Sequence, residues 1–224
     1  MKFLVRVYLL LVLASSSNAT VLFYGGSPTP GGLSCFYQNS STESRCYDNF
    51  RVSGTWVVDE IWGNYQYNDS TSNSPITSAR YEIRKGIAPG TGGTLLYSGE
   101  IAVIQTPLNI IYNQSKFTKL QGTLPNIQLG AGEYWLALTP VCQSYQYYYI
   151  SHTYNTDGVG TPLLDGLMYW DSPEFWHKNW ERANDSGFSY GLAGTVVPEP
   201  STFVALLCGL IGMGRIVLHE RKRV

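Results

Sequence analysis

The sequence predicts an all-β protein, an antiparallel β-sandwich of jelly-roll type, with an N-terminal signal helix and a C-terminal hydrophobic helix outside the domain. Three observations predict it. From Thr20 onward, no window of helical length keeps apolar residues at i, i+3, i+4 and i+7 until the C-terminal segment is reached. Short runs of strand-like alternation recur instead, punctuated by Gly, Pro, Asn and Asp. The central segment also holds all 6 Trp, 16 of the 17 Tyr and 6 of the 8 Phe, among abundant Thr, Ser and Gly, which favours pleated structure over helix.

Taken in order, the chain opens with Lys2 and Arg6, an apolar run from Val7 to Ala14, and small residues at Ser17 and Ala19. That succession reads as a cleaved secretory signal over residues 1–19. The β domain is expected over 20–196. Its first clear strand pattern alternates Phe50 and Val52 before Ser53-Gly54, and a second runs from Trp56 to Trp62. Gly63-Asn64 and the polar run Asn68 to Ser74 predict an exposed connection. Tyr81, Ile83 and Lys85 then alternate with Glu82 and Arg84.

The cluster Ala88-Pro89-Gly90-Thr91-Gly92-Gly93 predicts a reversal into a strand over Thr94 to Ile104, because Pro fixes φ and Gly accepts positive φ. It is not a phosphate loop, since no Lys followed by Ser or Thr closes it. Leu124 to Leu129, Glu133 to Thr139, Gln146 to His152, Leu167 to Trp170 and Phe188 to Val196 supply the remaining runs. Without helical crossovers, such strands imply stacked antiparallel sheets.

Charge excludes one class of partner. Between Thr20 and Val197 the chain carries nine basic and fourteen acidic residues, a net of −5, against −1 for the whole chain. Nucleic acid is disfavoured, since phosphate backbones demand clustered Lys and Arg. Three cysteines lie in this segment, Cys35, Cys46 and Cys142. Cys35 and Cys46 are the preferred disulfide pair, because the residues between them read as a flexible loop whose closure costs little. Pairing of either with Cys142 stays open. Ligand spacing for zinc is missing, so no metal and no cofactor is expected.

Catalytic patterns are sparse. Glu174, His177 and Glu181 would share one face of a helix, but in a segment with embedded aromatics they read as a polar loop. Asp59, Glu60, Asp165, Asp171 and Glu174 could furnish paired carboxylates for glycoside hydrolysis, and no Gly-x-Ser-x-Gly elbow is present. Asn155, Asp157 and Asp165 offer oxygen donors in a Gly-containing loop and are read as turn chemistry rather than a calcium site. Trp170, Trp176 and Trp180, with Tyr169 and Phe175, form the best candidate sugar-stacking patch. Trp56, Trp62 and Trp135 lie on apolar strand patterns and are expected in the core. Of Tyr145, Tyr147, Tyr148 and Tyr149, strand alternation leaves at least one half exposed.

The end of the chain carries the most specific pattern. Val197-Pro198-Glu199-Pro200-Ser201-Thr202 precedes an apolar run from Phe203 to Gly214, then Arg215, then Arg221-Lys222-Arg223. These three features in this order, over residues 197–224, resemble a PEP-CTERM sorting signal. The resemblance implies that an exosortase in the inner membrane of a Gram-negative bacterium that makes extracellular polysaccharide recognises Pro198, Glu199 and Pro200 and processes the protein during export. Even extended through Leu218, the apolar run has 16 residues, short of the roughly 20 that span a bilayer untilted, which favours transient residence in the inner membrane. Arg215 can snorkel toward headgroups, and the terminal basic cluster holds that end inside. The two prolines keep the backbone extended around Glu199.

The central segment also resembles the β-sandwich domains found on PEP-CTERM proteins, at Asp48-Asn49-Phe50, Trp62-Gly63-Asn64-Tyr65, Tyr81-Glu82-Ile83-Arg84, Leu95 to Ser98, Gly130 to Leu136 and Phe188 to Gly194. That resemblance implies architecture alone. The expectation is an exported structural or adhesive protein of the cell surface or extracellular matrix, with polysaccharide binding as the alternative and a polysaccharide-active enzyme less favoured.

Overall fold

The computed structural model describes residues 19–39, 42–68, 75–113, 115–142, 148–154, 157–160, 168–172, 177–183 and 187–198. Both terminal segments expected as helices lie outside the described residues. Among the described residues there is no helix, and the chain is a large antiparallel sheet. Its strands are β1 (Thr20–Tyr24), β2 (Thr29–Ser34), β3 (Phe36–Asn39), β4 (Thr42–Val52) and β5 (Thr55–Asn68). Then come β6 (Ser78–Lys85), β7 (Thr94–Tyr112), β8 (Ser115–Leu129), β9 (Gly132–Pro140) and β10 (Tyr148–Thr153). β11 (Met168–Ser172), β12 (His177–Ala183), β13 (Gly187–Phe188) and β14 (Tyr190–Val197) complete the set.

Neighbouring strands follow the order β1-β14-β5-β8-β7-β6-β9-β4-β11-β12, with β10 joined to β2, β5 and β13, and β3 joined to β4. β7 is the joint between two stretches of sheet. Its first half, Thr94 to Ala102, pairs with β6, and its second half, Val103 to Tyr112, pairs with β8. Residues from the two stretches meet in one core. The Tyr65 hydroxyl of β5 donates to the Leu138 carbonyl of β9, and the Tyr190 hydroxyl of β14 donates to the Cys46 carbonyl of β4 at 3.0 Å. Phe50 of β4 stacks on Phe23 of β1 at 5.1 Å and on Trp56 of β5 at 6.2 Å. The buried Asp48 carboxylate accepts the Phe188 amide at 2.6 Å, fixing β13 against β4.

Alternation explains which side chains enter that core. On β6, Ala79, Tyr81 and Ile83 are buried while the residues between them are half exposed, as the period of two dictates. β4 and β9 behave differently, being buried almost continuously. Cys46, Phe50 and Val52 of β4 and Tyr134, Leu136 and Leu138 of β9 enter the main core. Tyr47 of β4 and Trp135 and Ala137 of β9 enter a second, smaller cluster with Ile87 and Tyr169, against which Trp180 packs. The sheet is therefore covered on both sides at β4 and β9.

Three expectations are corrected here. The strands are not all short, since β5, β7 and β8 run 14, 19 and 15 residues. Gly63-Asn64 is no exposed connection but buried inside β5; Asn64 is 4% exposed, with its amide on the Ser189 hydroxyl at 2.7 Å. The segment between Cys35 and Cys46 is no flexible loop but the hairpin of β3 and β4. Length in β8 is tolerated through a bulge. Between Thr123 and Ile127, Leu124-Pro125-Asn126 face the single residue Asp59 of β5, with Asn126 at φ 51°. Pro has no amide for the ladder and Asn tolerates the left-handed region, so both suit an unpaired position.

A candidate functional site on the outer face of β4, β6 and β9

Side chains that β4 and β6 turn away from the main core build a mixed aromatic and charged face. Glu43, Arg45 and Tyr47 alternate along β4, and Glu82 and Arg84 along β6. They converge on one carboxylate. Glu82 accepts the Tyr47 hydroxyl at 2.9 Å and the Arg84 Nε at 2.6 Å, and its other oxygen lies 3.7 Å from Arg45. Arg45 in turn binds Glu43 at 2.5 Å and lies 3.7 Å from Asp171 of β11. These side chains are 8–24% exposed, so the ion group is only partly screened by water. The second oxygen of Glu43 is buried without a hydrogen-bond partner among the described residues.

Burial and charge shift the titration of this group in definite directions. Burial and the adjacent Glu82 push the Tyr47 hydroxyl well above its ordinary range, against the pull of Arg45 and Arg84. Burial works against charge on Arg45, but Tyr47, Glu43 and Glu82 outweigh it and make the guanidinium more basic than a free arginine. Burial raises Asp171, with Arg45 opposing. The arrangement sets the guanidiniums of Arg45 and Arg84 among the carboxyl groups of Glu43, Glu82 and Asp171.

Trp180 lies over the same group. Its ring sits 4.7 Å from Tyr47, with the Arg84 guanidinium 4.9 Å from its centre. Gly92 packs so closely on the indole that a Cβ there would overlap the ring, and the Gly92 carbonyl accepts from Arg84 at 3.0 Å. The backbone is bent to achieve this. Opposite the single residue Asp171, β12 carries three residues between its paired positions His177 and Glu181, and Trp180 takes φ 52°. A positive φ is uncommon for a bulky residue, and bulges re-aim side chains in this way.

The structure separates the aromatic residues singled out by sequence. Tyr169 and Trp170 alternate on β11, so Tyr169 joins Trp180 in the outer cluster while Trp170 packs against the main core. The Trp170 indole N–H donates to the Ser44 hydroxyl at 2.6 Å. Trp176 and Phe175 lie outside the described residues. So do Glu174, Asp165, Asn155, Tyr145, Tyr147, Glu199, Pro200, Arg215, Arg221, Lys222 and Arg223. His177 and Glu181 fall on a strand, β12, where the helical spacing that grouped them does not apply.

Asp59 and Glu60 stand on β5, in the other stretch of sheet from Asp171. Asp157 accepts the Ser27 amide at 2.7 Å and the Ser27 hydroxyl at 2.5 Å, which ties its loop to the β1–β2 connection. Tyr148 is buried against Tyr67, whereas Tyr149 is exposed. Trp56 enters the main core, but Trp62 and Trp135 are buried away from it. Trp62 packs closely on Gly191 with Tyr24 at 6.1 Å and the Lys119 ammonium at 4.6 Å, and Trp135 sits in the outer cluster.

Sequence reasoning did not single out Glu43, Arg45, Tyr47, Glu82 or Arg84 as a group. The outward half of the Tyr81 to Lys85 alternation was the available signal, because charged residues on a strand whose other face is apolar must share a surface. Among the described residues, no three His, Cys, Asp or Glu are placed to hold a metal ion. Comparison with known proteins finds no matching family model, no matching curated protein and no matching solved structure.

Proposed function

We propose that the chain is an exported structural or adhesive protein of the cell surface or extracellular matrix, with a β-sandwich body of jelly-roll type. In this reading an exosortase-type enzyme processes it through Pro198, Glu199 and Pro200 while residues 203–224 reside transiently in the inner membrane. The observation that carries the reading is the way β14 ends. Tyr190 to Gly194 are buried between β1 and β5, then Val196, Val197 and Pro198 are exposed, so the strand runs to the surface directly into the Pro-Glu-Pro segment. A processing enzyme needs an accessible backbone, and the exposure of Val196, Val197 and Pro198 at the end of β14 supports recognition of the segment that follows. Core contacts between β5 or β14 and β4 or β9 support the sandwich, since two stretches of sheet burying one shared core is the packing such a body requires.

A second reading, polysaccharide binding, draws support from the partly exposed Trp180 beside the Arg45, Glu82 and Asp171 group, since aromatic rings next to charged hydrogen-bonding groups suit sugars. Two measurements test these readings. Intact mass of the protein from its host is compared with that of a Glu199→Ala variant; loss of residues 203–224 in the parent alone is expected, and their retention in the mature surface protein refutes processing. A glycan array with the full chain and with Trp180→Ala tests sugar binding. Absence of binding, or binding that Trp180→Ala leaves intact, rejects this face as the site.

A further inference from the structure

The hairpin of β3 and β4 brings two cysteines together at the centre of the molecule. Phe36 pairs with Ser44 and Tyr37 with Glu43, a register that if continued would set Cys35 opposite Arg45, but the ladder stops at Phe36, and Cys35, between β2 and β3, turns into the same core as Cys46. Their thiols hydrogen-bond one another, both residues are wholly buried, and both are reduced in this structure. The Cys46 thiol also reaches the Ser34 carbonyl at 3.2 Å, next to Cys35 in the chain. Cys142 is buried nearby, but its thiol is turned to the Pro140 carbonyl at 3.7 Å.

What encloses the pair arrives later in the sequence. The Tyr190 hydroxyl of β14 lies 3.7 Å from the Cys35 sulfur and donates to the Cys46 carbonyl. The Cys35 thiol points at the Leu138 carbonyl of β9 at 3.4 Å, and the Tyr65 hydroxyl of β5 donates to that same carbonyl. Residues 35 to 52 therefore precede all three covering strands in the sequence. Closing a ring over ten intervening residues costs little chain entropy, and the hairpin of β3 and β4 holds the two cysteines close along the chain.

We infer that Cys35 and Cys46 are joined by a disulfide in the exported protein, formed while the β3–β4 hairpin is still open and then sealed when β5, β9 and β14 close over it. The chemistry is thiol–disulfide exchange with a disulfide-bearing oxidant of the exporting compartment. One cysteine thiolate attacks the oxidant's disulfide and expels one of its sulfurs as a thiolate. The second cysteine thiolate attacks the resulting mixed disulfide, forming the Cys35–Cys46 bond and releasing the second sulfur. Two thiols thus lose two protons and two electrons, and the oxidant leaves as a dithiol. The inference rests on the export reading for its oxidising compartment, though the pairing itself does not.

Trypsin makes the bond readable, because Arg45 lies between the two cysteines. The full chain is reduced and unfolded in guanidinium, refolded in a glutathione buffer, alkylated with N-ethylmaleimide under denaturing conditions and digested without reductant. The expected product is peptide 46–51 linked to peptide 7–45, with Cys142 in peptide 120–178 carrying maleimide. Peptide 46–51 recovered with a maleimide, or linked to 120–178, overturns the pairing. Cys142→Ser is expected to leave the linked product intact, and its loss in that variant equally overturns the pairing.

Sealing has its own readout. Dithiothreitol at a concentration that cleaves the link within minutes in guanidinium is expected to leave it intact in the native protein, at a rate at least a hundredfold slower, on the order of the protection that a closed core confers. Equal rates in both conditions overturn the sealing. If the link forms on refolding but is missing from protein taken from its host, the export reading fails and the pairing stands.

Discussion

Replacing Glu82 with Gln strikes the point where the outer-face group is most tightly joined. Glu82 takes a hydroxyl from Tyr47 on one oxygen, together with Nε of Arg84, and faces Arg45 with the other. Gln has a single acceptor oxygen. If that oxygen keeps Tyr47 and Arg84, the new amide faces the Arg45 guanidinium, donor against donor. If it turns to Arg45, the NH2 group can donate to the Tyr47 hydroxyl, but the Arg84 Nε–H is left facing a donor. Either way, two guanidiniums that are 24% and 13% exposed lose the carboxylate between them.

A hydrogen bond to a charged group contributes about 1.5–3 kcal/mol, and breaking a partly buried ion pair leaves the partner charge under-solvated. Because the substitution weakens two short hydrogen bonds and one longer ion pair together, Glu82→Gln is expected to cost about 3 kcal/mol. For a domain of roughly 150–250 residues that lowers Tm by about 6–12 °C. Calorimetry and urea unfolding of the full chain read the loss, and a cycle with Arg84→Met separates the Glu82–Arg84 pair from the stacking of Arg84 on Trp180. Glu100→Gln is the control, since its ion pair with Arg80 is 3.6 Å long with both side chains over 40% exposed, and it is expected to cost no more than about 0.5 kcal/mol. A Glu82→Gln loss no larger than that of Glu100→Gln would refute the idea that this group braces the outer face.

The same group makes stability depend on pH. Because burial raises the Asp171 carboxyl in the folded state, its contribution is fully present below the unfolded value and is lost as pH rises through the folded one. Asp171→Asn should therefore gain stability relative to the parent at pH 7, with the difference shrinking to nothing below about pH 3, the lower edge of the ordinary aspartate range. A difference that is flat across that range counts against desolvation as the cause. On the opposite stretch of sheet, Gly191→Ala drives a Cβ into the Trp62 ring and should cost about 1–3 kcal/mol in urea unfolding. In a Trp62→Leu background the same substitution should cost less than half as much; an equal cost in both backgrounds means the ring is not what Gly191 accommodates.

Much of the sheet was legible because alternation survives where one face is dry and the other wet. Tyr81 and Ile83 read correctly for that reason, as did the dense run from Glu133 to Thr139. β7 was legible only to Ile104, since Pro107 and Asn109 look like breakers, yet a strand paired on one side at a time tolerates a missing amide. The β3–β4 hairpin hid behind Asn39, Thr42 and Glu43, polar residues whose strand character comes from pairing rather than propensity. The candidate site was illegible for a different reason. Its members are ordinary charged strand residues on β4 and β6, which pair with β9 from opposite sides, and no local spacing records that sheet order.

Where the chain enters and leaves the body matters for any tether. β1 and β14 pair antiparallel with Thr20 opposite Gly194, so the first strand begins beside the place where the last one ends. Residues before Thr20 and after Val197 therefore emerge from the same pole of the sheet, with Tyr24 opposite Gly191 at the inner end of the pairing. If residues 1–19 and 203–224 both engage the inner membrane during export, they hold the body by a single pole. Release of either segment then leaves the orientation unchanged, and only loss of both frees the molecule. β14 lies inside the sheet between β1 and β5 rather than at an edge, so Pro198 is presented at a fixed position only once that strand has docked. If an enzyme processes the chain near Glu199 as proposed, destabilising β14, for instance by Gly191→Ala, undocks the strand before the cleavage segment, and a change in the cleavage rate of that variant measures how far such processing reads the folded state.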